Sequence, residues 1–208
     1  MVAPFWESSY SEPSQQTFGP PAEGVLRLTT RMSPGAVVLD LGCGDGRNAL
    51  ALAERGFDVE ALDISEAGVA KLEALAAERG LSLEARVEDV TSFRFPRAYD
   101  LIVAHGVLHL LAREQWEAVL DRMKRSTAPG GWNVVVVFTD RLPPPLDLAP
   151  HVKGAFREGE LAERYRGRGW TVELDARYTL RDEHPGGVRH VHPVNEIVAR
   201  RSPESVPE

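Results

Sequence analysis

Cysteine is almost absent from this chain, and its scarcity already limits the possible chemistry. Among 208 residues only Cys43 is a cysteine, which excludes an internal disulfide and a metal site built from several thiolates. Apolar runs are short as well, since Val134 to Phe138 is far below the length that crosses a bilayer. The first residues, Met1 to Pro4, are neither basic nor followed by a long apolar segment. We therefore expect a cytoplasmic protein with no signal peptide and no membrane partner.

The chain also lacks an excess of positive charge, because its formal net charge is −7. A nucleic-acid substrate would need a basic surface to meet its phosphates, so we expect no nucleic-acid partner. What is present is the composition of a globular protein, with 43% hydrophobic and 26% charged residues. We predict a single domain over 1–201 and a disordered tail over 202–208.

The most informative stretch runs from Val37 to Asn48. An apolar strand leads into a glycine-rich turn that opens a helix, which is how α/β proteins build a site for a nucleotide-like cofactor. Gly42, Gly44 and Gly46 leave room for a ligand to lie against the backbone. They also allow positive φ angles without a Cβ penalty.

The spacing around these glycines distinguishes between possible cofactors. The pattern is D-x-G-x-G-x-G, with Asp40 two residues before the first glycine, rather than the G-x-G-x-x-G of dinucleotide sites. A carboxylate at this place would repel a pyrophosphate but suits an ammonium and a sulfonium. This chemistry indicates S-adenosylmethionine, which carries both cations and no phosphate. A nicotinamide site and a turn that binds nothing are the alternatives.

Polar residues also follow the next predicted strands. Asp63 ends the strand 57–62 and lies 23 positions after Asp40, where a βαβ unit places an acid that accepts hydrogen bonds from ribose hydroxyls. Its alternative role is to cap the next helix, although Ser65 is the better cap candidate. Asp89 follows the third strand, and His105 lies at the carboxyl end of the fourth.

Periodicity and turn residues predict the remaining elements. Helices are expected over 22–32, 47–55, 65–78 and 113–127, with a short helix ending at 165. Besides the strand that enters the glycine turn, strands are expected over 57–62, 81–87, 99–105, 132–139, 170–178 and 194–200. Pro129 to Gly131 predicts a turn, 140–155 a proline-rich loop over the carboxyl edge of the sheet, and 181–188 a turn-rich hairpin tip.

The octet Leu39 to Gly46 resembles motif I of the class I S-adenosylmethionine-dependent methyltransferases. The resemblance implies an α/β, Rossmann-like fold with a mostly parallel seven-stranded sheet, a C-terminal antiparallel hairpin and helices on both faces. It implies S-adenosyl-L-methionine as cofactor and S-adenosyl-L-homocysteine as product, with the Asp89 side chain on the adenine amino group. The cofactor-binding residues expected on this basis are Asp40, Gly42, Cys43, Gly44, Asp63, Ile64, Asp89, Val90, Ala104 and His105.

Further stretches resemble the bacterial tellurite-resistance methyltransferases. They are Phe5-Trp6 with Tyr10, Gly44 to Asn48, Phe156 to Leu161 and Ile197 to Arg201. This resemblance implies methyl transfer to a chalcogen oxyanion such as tellurite or selenite. In that family a His-Arg pair and a later Arg in the C-terminal hairpin are the suspected substrate contacts. In this chain the positions of the His-Arg pair are occupied by Arg181-Asp182. Only the later arginine of the family has a counterpart, which is Arg189.

The tip of the C-terminal hairpin is rich in groups that suit an oxyanion, because guanidinium and imidazole donors can hold its oxygens. His190 and His192 should point to the same face of an extended chain, since side chains alternate along a strand. We take His105, Arg189, His190 and His192 as the catalytic candidates. One alternative is a solvated basic loop. Another is a metal site of His184, His190 and His192, for which the sequence supplies no companion ligand.

The acceptor pocket is expected between the N-terminal arm (1–21), the proline-rich loop (140–155) and the hairpin tip. The arm either closes over the cofactor as a lid or packs on the surface. Besides a chalcogen methyltransferase, the alternatives are a small-molecule N-, O- or S-methyltransferase and a cofactor-binding regulatory module. An Asn-Pro-Pro-Tyr segment is missing after the fourth strand, which disfavours methylation of bases or glutamine. The expected partner is a small-molecule acceptor, and the protein is expected to be a monomer or homodimer.

Overall fold

One sheet organises the chain. The computed structural model describes residues 5–11, 19–146, 148–167, 169–183 and 189–203. In these residues seven strands form the sheet: β1 (Val37–Leu41), β2 (Asp58–Asp63), β3 (Glu84–Val87), β4 (Tyr99–His105), β5 (Thr127–Phe138), β6 (Trp170–Glu183) and β7 (Arg189–Arg201). The strand order is β3-β2-β1-β4-β5-β7-β6. Neighbours from β3 to β5 are parallel, whereas β7 is antiparallel to β5 and β6. The expected mostly parallel sheet with an antiparallel C-terminal hairpin is confirmed.

Helices cover both faces of this sheet, as the resemblance implies. They are α1 (Phe5–Tyr10), α2 (Glu23–Leu28), α3 (Arg47–Ala53), α4 (Glu66–Glu78), α5 (Arg113–Ser126) and α6 (Glu160–Tyr165), with a 3-10 turn at Leu108–Leu110. On one face α2, α3 and α4 enclose a core that includes Val38 and Val134. On the other face α5 and α6 pack around Trp116 and Phe156. Every helix within the described ranges is too short or too polar to traverse a bilayer.

The alternation along β1 explains its uninterrupted apolar sequence. Val38 belongs to the α3 side, whereas Leu39 and Leu41 belong to the α5 side, and all three are fully buried. A parallel strand that is covered on both faces has no solvent side to carry polar residues. Asp40 shares the face of Val38, so its side chain points toward α3 from within the core.

The predicted turn over Pro129 to Gly131 is wrong, because these residues form the first part of β5. The pairing of β5 with β4 shifts between Tyr99 and Leu101, so the extra residues are taken up as a bulge. A Cβ on Gly131 would lie 2.8 Å from the Asp100 carbonyl oxygen. Glycine is therefore needed where the bulge presses against β4.

Several predicted boundaries change for a shared reason, which is pairing or packing with distant residues. The hairpin is longer than expected, since Arg181 pairs with Val191 and the strands continue to Glu183 and from Arg189. Of the predicted tip over 181–188, residues 184–188 lie outside the described residues. The helix predicted over 22–32 is shorter than expected, and the strand predicted over 81–87 begins only at residue 84. Of the predicted tail, 204–208 lies outside the described residues.

Candidate active site

The glycine turn between β1 and α3 has the backbone shape that the motif requires. Gly42, Gly44 and Gly46 have φ angles of 68°, 55° and 90°, a region that residues with a Cβ rarely adopt. The N–H groups of Gly42 and Cys43 both donate to the carbonyl of Leu62, at 2.8 and 3.0 Å. The turn is thereby tied to the end of β2.

Asp40 is a buried acid beneath this turn. Its side chain is fully buried, and in the described part of the chain neither carboxylate oxygen has a hydrogen-bond partner. Burial raises the pKa of Asp40 to about 7, and the positive charge of Arg47 opposes that rise. The N–H of Ala49 also favours the carboxylate without reaching hydrogen-bond geometry. An unpartnered buried carboxyl group is costly, and a bound cation would relieve that cost.

Asp63 stands at the carboxyl end of β2, beside the same turn. Its Oδ2 accepts a hydrogen bond from the N–H of Gly44 at 2.8 Å, and its Oδ1 accepts one from the N–H of Ser65 at 2.9 Å. Burial raises the pKa of Asp63, although these bonds favour its charged form. Each oxygen keeps a second lone pair for a ligand hydroxyl. The cap of α4 is Ser65, whose hydroxyl accepts from the N–H of Gly68 at 3.0 Å.

The residues predicted to contact adenine lie at the same edge of the sheet. Ile64 is 66% exposed beside Asp63, so an apolar side chain borders the acid. The N–H of Glu88 donates to the Asp63 carbonyl at 2.9 Å, which brings the segment after β3 alongside. There Asp89 is exposed and Val90 is buried. Ala104, in β4, is fully buried.

The N-terminal arm contains α1, which packs on the glycine turn. A Cβ on Gly44 would lie 2.5 Å from the Tyr10 hydroxyl, and one on Gly68 would lie 3.2 Å from the Tyr10 ring. Burial, followed by the charge of Asp63, raises the pKa of Tyr10, so its phenol stays protonated. Trp6 meets His151 of the proline-rich loop with ring centroids 5.0 Å apart. The helix α1 therefore contacts both the turn and the loop.

His105 ends β4 next to α3. Its Nδ1 lies 3.5 Å from Nδ2 of Asn48, whose Oδ1 accepts a hydrogen bond from the N–H of Ala22 at 3.0 Å. Burial, followed by the charge of Arg47, lowers the pKa of His105 well below its usual value. His105 is therefore a neutral imidazole. Because its Nδ1 accepts from the Asn48 amide, its proton is on Nε2, which can donate a hydrogen bond.

Three stacked rings lie around the carboxyl end of β5. Phe138 is placed between His109 and His192, with ring centroids 4.1 Å away on either side. The Phe138 N–H donates to His109 Nδ1 at 3.2 Å, which assigns the His109 proton to Nε2. Burial, followed by the charge of His192, lowers the pKa of His109 to about 3. The Nε2 atoms of His190 and His192 are 2.8 Å apart, so the prediction that these side chains share a face is confirmed.

A cavity of about 140 Å³ lies beside this stack. It is bordered by the end of β5, the proline-rich loop and the start of β7, and is partly open to solvent. Its walls include Phe138, Leu142, Pro143, Pro144, Val152 and His192. Most of the lining is apolar, and His192 supplies an imidazole to it.

Arg189 is separated from the histidine pair. It is exposed, and alternation along β7 puts its side chain on the face opposite to His190 and His192. Strand pairing puts His105 on the same face as the two histidines. His184 lies outside the described residues. Within the ranges that the structure describes, no three His, Cys, Asp or Glu side chains group as metal ligands.

Three residues of this region were not among the predicted site residues. Asn48 belongs to the stretch Gly44 to Asn48, and Tyr10 belongs to the N-terminal segment that resembles the family, so both have a local signal in the sequence. Phe138 carried none, because it reads as the last apolar residue of a strand.

The fold, the glycine turn and the acids at the ends of β1 and β2 define the class I S-adenosylmethionine-dependent methyltransferase scaffold. The sequence profile of the family described as "Tellurite resistance protein TehB" matches residues 17–177. The chain belongs to this family.

Individual relatives agree with that assignment. A probable S-adenosyl-L-methionine-dependent methyltransferase, TehB of Haemophilus influenzae, is 36% identical over 131 residues, which cover 62% of this chain and 44% of the relative. The crystal structure of TehB from Haemophilus influenzae has a TM-score of 0.78 at 28% identity, over 95% of this chain and 67% of that one. A 2-heptyl-1-hydroxyquinolin-4(1H)-one methyltransferase of Mycobacteroides abscessus is 30% identical over 159 residues, or 76% of this chain and 68% of the relative. The chain thus spans less than half the length of the Haemophilus relative.

Proposed function

We propose that this chain transfers a methyl group from S-adenosylmethionine to a small-molecule acceptor. The observation that carries the proposal is the pair of acids around one glycine turn. Asp40 is buried without a hydrogen-bond partner among the described residues, and Asp63 is held by the turn itself at the end of the next strand. Family membership supports the same conclusion.

The residues present fit this methyl donor. Asp40 suits the cationic methionine portion, because it is an acid whose burial is not compensated by a bonded neighbour. Asp63 has lone pairs left for ribose hydroxyls, and the exposed side chain of Ile64 offers apolar area to the adenine ring. Asp89 would accept from the adenine amino group, with the Val90 backbone against the ring. When bound, the donor supplies an electrophilic methyl group on a sulfonium.

The contribution of the chain is to align the two reactants and exclude water. Holding them in a near-attack arrangement contributes about 7 to 11 kcal/mol to lowering a bimolecular barrier. Tyr10 packs on the glycine turn, whose Gly44 N–H donates a hydrogen bond to Asp63. His105, neutral at the end of β4, orients the reacting end of the donor by donating a hydrogen bond from Nε2.

We further propose that residues 1–201 act as one domain in which the arm (1–21) and the proline-rich loop (140–155) form a lid. The contact between Trp6 and His151 supports this, because it joins the two segments directly. The packing of Tyr10 on Gly44 supports the same role. Closure would remove solvent from the transfer step.

For the acceptor, an organic molecule is the first candidate. The cavity beside His192 supports it, because a mostly apolar lining offers little to an oxyanion that must be desolvated. A chalcogen oxyanion such as tellurite or selenite is the second candidate. The family description favours it, as does the presence of two imidazoles at positions 190 and 192.

The test is to incubate the purified chain with S-adenosylmethionine and a panel of phenols, thiols, amines, tellurite and selenite. Formation of S-adenosylhomocysteine is measured by chromatography, and methylated chalcogen is sought in the headspace. We expect turnover with at least one organic acceptor. Turnover confined to tellurite or selenite would select the second candidate. Cofactor binding without turnover of any acceptor would contradict the enzymatic proposal and favour a regulatory module.

A further inference from the structure

The cavity beside the ring stack has the size and chemistry of a site for one aromatic ring. It measures about 140 Å³ and is walled mainly by prolines, Leu142, Val152 and Phe138. An apolar cavity of about 150 Å³ is sufficient to bind benzene. Among the described residues of its lining there is no lysine or arginine to neutralise an anion. An occupant should therefore have an apolar body and at most one polar edge.

The polar part of the lining consists of Thr139, the exposed Asp140 and His192, and of these His192 alone has a basic nitrogen. The side chain is 2% exposed and its ring lies nearly parallel to Phe138, at an interplanar angle of 6°. Besides this stacking, a hydrogen bond between its Nε2 and the Nε2 of His190 holds the ring in its orientation. In such a bond one ring donates and the other accepts. When His192 donates from Nε2, its basic lone pair is on Nδ1.

Two other histidines near the site are poor proton acceptors. Both His105 and His109 already accept a hydrogen bond at Nδ1, from the Asn48 amide and from the Phe138 N–H, and neither of them lines the cavity. The titratable groups around His192 are His190 on the same strand, His109 on the far side of Phe138, and Asp140 in the cavity wall at the end of β5. Its partner His190 is half-buried and can exchange protons with solvent.

We propose that the acceptor is a small aromatic or heteroaromatic compound with an ionisable hydroxyl, whose ring occupies this cavity and whose hydroxyl proton is accepted by His192. This rests on the proposed methyltransferase function and names its substrate class. The acceptor oxygen forms a bond to the methyl carbon while the carbon–sulfur bond breaks, and the electron pair of that bond goes to sulfur. The hydroxyl proton goes to Nδ1 of His192, and the Nε2 proton passes to His190 and then to water.

The proposal predicts that the need for His192 depends on the acidity of the acceptor. Phenol is protonated at neutral pH and needs a base, whereas pentafluorophenol is already ionised and does not. His192→Phe keeps a ring against Phe138 but has no nitrogen. We expect kcat/KM for phenol to fall about 100-fold or more, the usual scale for a lost general base. For pentafluorophenol the loss should stay below about 5-fold, and the affinity for S-adenosylmethionine should not change.

Arg79→Met is the control, because Arg79 lies at the end of α4, pairs with Glu54 on the surface and does not line the cavity. It should leave both rates unchanged. His192→Gln, which is polar but cannot take up the proton, should repeat the pattern if the phenylalanine variant fails to fold. Equal losses for the two phenols, or turnover of tellurite with none of either phenol, would overturn the proposal. Failure of the methyltransferase function itself would be recognised separately, as absence of both cofactor binding and product with every acceptor.

Discussion

Replacing Asp40 by Asn should make the protein without cofactor less sensitive to pH. The pKa of Asp40 is raised from 3.8 to about 7 in the folded state, so the folded protein binds the proton more tightly than the unfolded chain. Stability is therefore lost as pH rises from about 4 to about 7. Linkage gives a cost of about 2 kcal/mol at pH 5 and about 4 kcal/mol at pH 8. The amide in the variant remains without a partner, which costs about 1 to 3 kcal/mol at either pH.

The assay is urea unfolding of both proteins at pH 5 and pH 8 without S-adenosylmethionine. The free energy of unfolding of Asp40→Asn minus that of the unsubstituted protein should be about 2 to 3 kcal/mol larger at pH 8 than at pH 5. Other titrating groups cancel in this difference. S-adenosylmethionine should stabilise the variant less, because the carboxylate that faces its cations is gone. A difference between the two proteins that does not change with pH would refute the reasoning.

Two further substitutions test the packing around the turn, each against a matched control. Gly44→Ala should lower the free energy of unfolding by about 2 kcal/mol more than Gly56→Ala, because both have positive φ but only the first would place a Cβ 2.5 Å from a tyrosine hydroxyl. Equal losses in urea unfolding would contradict this. Lys71→Met breaks a 3.2 Å ion pair whose side chains are 5% and 2% exposed, so thermal unfolding should show a loss of about 3 to 5 kcal/mol. Arg27→Met breaks an exposed pair and should cost less than about 1 kcal/mol; similar losses for both would contradict the role of burial.

The parts of the fold that could be predicted are those encoded by neighbouring residues. The strand, turn and helix from Val37 to Asn48 follow from local glycine geometry and apolar periodicity. Ser65 as the cap of α4 is likewise a local choice, confirmed by its bond to Gly68. The position of Asp63 follows from the length of a βαβ unit, which the chain cannot vary freely.

What could not be predicted depends on which distant segments meet. The stack of Phe138 between His109 and His192 joins the ends of two strands with a segment after a third. Each residue alone has an ordinary local role. The same applies to Tyr10, because a short polar segment with aromatics does not reveal which surface it covers. Proline and glycine at 129 to 131 favour a turn and a bulge alike, and only the pairing with β4 decides between them.

The central claim is that the acid at the end of β2 helps to bind S-adenosylmethionine, and calorimetric titration tests it directly. Asp63→Ala should weaken binding by about 1 to 3 kcal/mol, the scale of a lost buried hydrogen bond. Asp58→Ala removes an acid from the other end of the same strand, where it pairs with Arg97, and should leave binding unchanged. One-to-one binding that is weakened by the first substitution and not by the second is the predicted result. No binding to the unsubstituted protein, or equal affinities for Asp63→Ala and the unsubstituted protein, would contradict the account.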